Sequence, residues 1–186
     1  QYGLSEGYTP LRDTMKKYLE KKEGFDFENN ELFIVSGGQQ CADLTTKALV
    51  NEGDVVLTEE PAFVGCLNTF RSYGAKLVGI PMEQDGMNIN ALEEALKANP
   101  DAKLLYTIPS FQNPTGITTS LEKRKKVYEL CCKYDIAILE DNPYGELRFA
   151  GENVPTIKSM DTEGRVIYAG SFSKVMAVSY THLRAH

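Results

Sequence analysis

Short, unbroken apolar runs alternate along the chain with longer stretches whose apolar residues recur every three or four positions. The runs at 32–35, 54–58, 76–80, 103–108, 136–140 and 165–169 read as strands. Thr9-Pro10 opens a helix in which Leu11, Met15, Tyr18 and Leu19 share one face, ending near Gly24. A second helix follows Ser36-Gly37-Gly38 and runs to about Val50, and a third spans 63–73, closed by Gly74. Asn90 is the expected cap of a fourth, with Leu92, Ala95 and Leu96 turned inward. The last runs from about Ser120 to Tyr134 and carries Leu121, Val127, Leu130 and Cys131. The 136–140 run lacks polar alternation, as expected of a strand covered on both faces. Strands alternating with helices of this length make βαβ units, so the expected class is α/β with a mostly parallel sheet flanked by helices. The longest irregular connection is 151–164.

Composition narrows the function. With 42% hydrophobic and 25% charged residues in a chain of 186, the balance is that of a globular protein with a real core. A net charge of −6 without basic clusters argues against nucleic acid or an anionic membrane as partner. Every apolar run is far too short to span a bilayer, and no charged-then-apolar leader opens the sequence. Position 1 is Gln, so the sequence reads as starting inside a longer chain. Cys41, Cys66, Cys131 and Cys132 have no C-x-x-C spacing and read as free thiols of a reducing cytoplasm. His182 and His186 are the only histidines, so a His-dependent triad or a His-rich metal site is disfavoured and no metal is expected. An enzyme built from this chain must use lysine, carboxylate, tyrosine or a bound cofactor.

In an open α/β sheet, ligands sit beyond the carboxyl ends of the strands. Four strand endings carry candidate chemistry. Ser36-Gly37-Gly38-Gln39-Gln40 offers close backbone approach and free N–H groups for an anion, although a tight strand–helix turn explains the glycines equally well. Pro109-Ser110-Phe111-Gln112-Asn113-Pro114-Thr115-Gly116 either is an ordinary turn or holds the Asn113 amide at a fixed point. Asp141 and Tyr144 follow the most apolar strand; a buried carboxylate there calls for a cation or hydrogen-bond donors, a ligand or a loop cap serving alike. Gly170-Ser171-Phe172-Ser173-Lys174 sets two hydroxyls beside an amine, and taken alone reads as a surface lysine in a polar loop. Together the four fit a phosphorylated pyridine aldehyde: Lys174 for the aldehyde, Asp141 for the ring nitrogen, Asn113 and Tyr144 for the ring hydroxyl. Gly38, Gln39, Ser171 and Ser173 would take the phosphate.

Asn113-Pro114-Thr115-Gly116, Glu140-Asp141-Asn142-Pro143-Tyr144 and Ser171-Phe172-Ser173-Lys174 resemble the signature of fold type I pyridoxal-phosphate enzymes. Within that group the chain resembles class I/II aminotransferases of the 2-aminoadipate/kynurenine type, from Tyr2 to about Ala177. The resemblance implies the pyridoxal 5'-phosphate-binding large domain over 1–177, incomplete, with the small C-terminal domain absent. It implies amino-group transfer between an amino acid and a 2-oxo acid. It puts Phe63 on the face of the cofactor ring, where the family often has Tyr, and Gly38 where relatives often have Ser. Lys174, Asp141 and Tyr144 take the catalytic positions. Tyr2 takes the place of a tyrosine that reaches the neighbouring subunit, implying a homodimer.

The tail departs from the family. Relatives continue after Ala177 with Pro-Gly-apolar-Arg, whereas residues 178–186 carry both histidines and set Arg184 three positions late, so they read as foreign sequence. The phosphate-binding arginine and the arginine that grips the substrate carboxylate are thus missing from the resemblance, and the chain alone is not expected to be a competent transaminase. Three alternatives remain at this level. One is an aminotransferase-like effector domain of a GntR/MocR-type regulator, preceded by a DNA-binding module. Another is a lyase or decarboxylase of the same fold, and the third is a plain nucleotide-binding domain, against which the missing phosphate fingerprints argue.

Overall fold

The computed structural model describes residues 5–174. In chain order the elements are α1 (Thr9–Glu23), α2 (Gly38–Leu49), β1 (Val55–Glu60), α3 (Val64–Ser72), β2 (Lys76–Glu83) and β3 (Gly86–Met87). Then come α4 (Ile89–Ala98), β4 (Leu104–Thr107), α5 (Leu121–Lys133), β5 (Ala137–Asn142), a 3-10 turn (Lys158–Met160) and β6 (Val166–Gly170). The sheet order is β3-β2-β1-β4-β5-β6. All pairings are parallel except the short β2–β3 hairpin. The chain builds outward from β1 to β3, then returns to place β4 on the other side of β1.

Period-two alternation explains how one sheet holds two apolar layers. In β1, Leu57 packs with Leu92 and Leu96 of α4 and Val127 and Cys131 of α5, while its neighbour Val56 packs with Ala42 of α2 and Cys66 and Phe70 of α3. β4 repeats the rule, with Leu105 in the first layer and Leu104 and Tyr106 in the second. Both faces are covered, so only the strand ends can present polar groups to a ligand. Register sets those ends side by side: Thr107 lies beside Glu140, and Asp141 beside Ala169.

Most element boundaries fall within a few residues of the expected ones, and the exceptions have physical causes. The helix cap is Asn88, whose side chain accepts from the Ala91 N–H at 2.8 Å, and Asn90 sits inside the first turn of α4. The two-residue β3 was not expected because it is too short to show a period. Residues 32–35 join no sheet among the described residues. They line an apolar groove of about 740 Å³ together with Met15, Leu19, Val166 and Tyr168. Among the described residues β6 is the sheet edge on that side, and no strand there lies beside the run at 32–35 to complete a ladder. The same groove explains α1, whose expected apolar face forms while leaving no residue fully buried. Gly24 ends that helix in the left-handed region at φ 71°, a conformation a side chain would strain.

One buried cation binds the loops to this frame. Arg124 of α5 is fully buried and donates to the carbonyls of Thr119 (3.0 Å), Pro109 (2.8 Å), Pro155 (3.1 Å) and Val154 (3.4 Å), and to the Ser110 hydroxyl (3.0 Å). It joins the loop after β4 to the 151–164 connection. Burial lowers its pKa to about 10, still well above neutral, so the charge stays. Arg124→Met keeps the volume but strips these acceptors of their donor. Its expected cost is about 3–5 kcal/mol in denaturant-unfolding free energy; a change below about 1 kcal/mol would show that the hub is dispensable.

Candidate active site

The site begins with α2. Its N-cap, Gly37, has φ 83°, and no side chain caps the helix; the Gln40 N–H donates to the Gly37 carbonyl at 3.1 Å, which leaves the Gly38 and Gln39 amides without an internal acceptor. Gly38 stands next to Asp141: a Cβ built on it would lie 3.9 Å from Asp141 Oδ1. Asp141 ends the apolar run of β5, and its Oδ2 accepts from the Tyr106 hydroxyl of β4 at 2.9 Å. No cation pairs with this carboxylate among the described residues, and burial pushes its pKa up to about 6 against the pull of Tyr106. A half-buried carboxylate with one oxygen held and the other near a glycine can receive a cationic group.

The neighbouring α3 opens in the same uncapped way, with Phe63 as N-cap. The Phe63 ring lies against Gly65, where a Cβ would come within 2.6 Å of its Cε1, so only glycine lets the ring sit there. Gln39 crosses from α2 to donate to the Gly65 carbonyl at 2.8 Å and Thr69 Oγ1 at 2.9 Å. The starts of both helices are thereby tied together. In the loop after β4, Asn113 Nδ2 donates to the Tyr144 hydroxyl at 3.5 Å, which brings these two expected residues to one place. Ser171 Oγ accepts from the Ser173 N–H at 3.2 Å just after β6. Lys174 is exposed and is the last described residue; Tyr2, Arg184 and the 178–186 tail lie outside the described residues.

The remaining polar groups sort into structural and inert ones. Glu140 is buried, its pKa raised to about 7 by desolvation, and its two oxygens accept from the Ile157 and Lys158 N–H groups at 2.9 and 2.7 Å. It holds a loop and has no oxygen free for a ligand. Burial pushes the Cys66 thiol up to about 12, which keeps it protonated and unreactive. Cys41, Cys66, Cys131 and Cys132 are all free. Among the described residues no cluster of His, Cys, Asp and Glu is placed to hold a metal ion, and no helix is long and apolar enough to cross a membrane.

The model for aminotransferase class I and II matches residues 1–179. The chain belongs to that family. Over 184 residues it is 42% identical to aromatic-amino-acid aminotransferase 1 of Thermococcus litoralis, covering 97% of this chain and 44% of that protein. A Pyrococcus horikoshii kynurenine aminotransferase solved in complex with PMP superposes with a TM-score of 0.91 at 43% identity, over 94% of this chain and 44% of that one. The α-aminoadipate aminotransferase LysN of Thermus thermophilus, complexed with N-(5'-phosphopyridoxyl)-L-leucine, superposes with a TM-score of 0.81 at 35% identity, over 94% and 44%. An HTH-type transcriptional regulator of Bacillus subtilis (35% identical) and a probable rhizopine catabolism regulatory protein of Rhizobium meliloti (35% identical) are similar as well. The chain spans less than half the length of these relatives, and its mostly parallel α/β sheet is the one that the solved aminotransferases of the family share.

Sequence reasoning did not single out Tyr106 or Glu59. Tyr106 sits in an apolar run, where nothing separates a core aromatic from a hydrogen-bond donor. Glu59 did carry a signal, being a carboxylate at the end of a buried strand, the same pattern that marked Asp141.

The raised pKa of Asp141 has a measurable consequence. Neutral Asp141 is favoured in the folded protein, so its contribution is complete below the ordinary value of 3.8 and is lost as pH rises through about 6. In the cofactor-free protein, Asp141→Asn is therefore expected to be more stable than the parent at pH 8, by about 2–3 kcal/mol, with the gap closing near pH 4. Thermal melts across that range check it; a pH-independent difference would refute the assignment of a desolvated carboxylate paired with no cation among the described residues.

Proposed function

We propose that this chain is the large-domain portion of a pyridoxal 5'-phosphate-dependent aminotransferase, moving an amino group between an amino acid and a 2-oxo acid. The observation that carries the reading is the carboxylate of Asp141, paired with no cation among the described residues, facing Gly38 at the uncapped start of α2. One feature receives a positive ring nitrogen and the other an anionic phosphate, which is the charge pattern of this cofactor. When bound, pyridoxal 5'-phosphate supplies an aldehyde that captures amines and a ring that accepts the electrons of the substrate α-carbon.

The residues divide the remaining work. Asp141 keeps the ring nitrogen protonated, and the buried Tyr106 hydroxyl holds that carboxylate in orientation. The amides of Gly38 and Gln39 and the hydroxyls of Ser171 and Ser173 are the phosphate donors. Asn113 and Tyr144 serve the ring hydroxyl, and Phe63 covers the ring face. Lys174 would be the amine that holds the cofactor through its aldehyde, and as a free amine it would carry the proton to and from the substrate α-carbon. The relatives named for aromatic, aminoadipate and kynurenine substrates support an amino acid of that range. Free thiols suit a reducing compartment such as the cytoplasm, and the family pattern at Tyr2 supports a homodimer.

In the full-length parent, Lys174→Ala is expected to abolish the covalent attachment of pyridoxal phosphate seen by visible absorption. It should also lower kcat roughly a thousandfold or more. A variant that kept near-normal amino transfer would overturn the assignment. A parent that bound the cofactor at Lys174 but transferred no amino group would favour the regulator reading.

A further inference from the structure

Two polar side chains at the carboxyl ends of the central strands β1 and β4 take no part in the chemistry above. Glu59, the carboxylate near the end of β1, is 2% exposed, and Gln112, in the loop after β4, is 1% exposed. Glu59 Oε1 accepts from Thr107 Oγ1 at 2.5 Å and from the Ile108 N–H at 3.1 Å, and its Oε2 accepts from Gln112 Nε2 at 3.0 Å. Gln112 Nε2 donates again to the Pro61 carbonyl at 2.7 Å. The amide's other end, Oε1, accepts from the Thr115 N–H at 2.9 Å and the Thr115 hydroxyl at 2.6 Å.

This bonding fixes the direction of the amide. Turned over, it would set its N–H groups against the Thr115 N–H and its oxygen against a carboxylate and a carbonyl. The pair lies between β1 and β4, where the chain reverses its direction of travel across the sheet. On one side it grips Pro61, two residues before Phe63; on the other it precedes Asn113 directly and holds Thr115 just beyond. An apolar pair would fill the same space without desolvating a carboxylate, so what the polar pair adds is a defined geometry between two loops.

We propose that Glu59 and Gln112 are positioning residues, a buried carboxylate–amide clamp that sets the spacing between the Phe63 loop and the Asn113 loop. Through it they set the orientation of the cofactor ring held between them. The proposal rests on the pyridoxal-phosphate reading of the site.

The test uses the full-length parent loaded with pyridoxal phosphate, followed by visible circular dichroism of the bound ring together with kcat and KM. Glu59→Gln turns a donor toward the Gln112 N–H groups and should weaken the visible ellipticity per bound cofactor. It should lower kcat roughly ten- to hundredfold with KM within about threefold of the parent. Combining Glu59→Gln with Gln112→Glu restores one donor–acceptor contact while keeping the Thr115 bonds, and should recover part of both signals. Should Glu59→Gln fail to fold, as read by melting of the cofactor-free protein, Thr115→Val probes the same clamp from its exposed end. It should shift ellipticity and kcat in the same direction, kcat by roughly threefold or more. Unchanged ellipticity and kcat in the folded variant overturn the proposal. A parent lacking any visible band that depends on Lys174 overturns the cofactor reading, and this proposal falls with it.

Discussion

A carboxylate withdrawn from water needs partners, and three of them crowd the strand ends of this sheet, Glu59 and Glu140 buried and Asp141 half-buried. Each is satisfied differently. Glu140 takes two backbone N–H groups and becomes a loop anchor. Glu59 takes a hydroxyl, a backbone N–H and an amide, and becomes a brace between strands. Asp141 takes a single tyrosine hydroxyl and keeps an oxygen directed at Gly38. Desolvation raises the pKa of all three, so what separates them is how many of their oxygens the protein's own donors occupy. Glu59 and Glu140 have both oxygens held and tie segments of the fold together; Asp141 has a donor on one oxygen only among the described residues.

The scaffold that makes this distinction possible is rigid because its loops are tied to buried cations and amides as well as to the backbone. Arg124 fastens the loop after β4 to the 151–164 connection, and Gln112 fastens the same loop to the end of β1. Gln39 ties the start of α2 to the start of α3. Loops of this kind contribute few apolar contacts, so polar bonds at low dielectric must define their geometry. A site assembled from four strand ends needs that definition, since an error of about 1 Å in a reacting group is costly in rate.

Much of this was legible in the sequence where the signal is local. The unbroken run at 136–140 identified a doubly covered strand, and β5 is buried by both layers through Ile138 and Leu139. The motifs around Asn113, Asp141 and Lys174 identified the family because each stands at a strand end in the expected order. The run at 32–35 has the composition of a strand yet pairs with none among the described residues, because strand formation needs a neighbour and no residue pattern reports whether one is present. Asn88 and Asn90 are both competent caps; which one serves depended on the place where β3 releases the chain, and that hairpin was too short to leave a period.

Local patterning by itself determined the class of fold, the alternation of helices and strands, and the residue types gathered at the strand ends, since side-chain period and turn chemistry act over a few neighbours. Only the tertiary structure decided that Tyr106, thirty-five positions from Asp141, bonds it, and that Glu59 and Gln112, fifty-three apart, brace one another. The same holds for the roles of the carboxylates. Whether a buried acid is satisfied depends on donors brought in from distant segments, and burial and donor count are properties of the packed molecule, not of the chain.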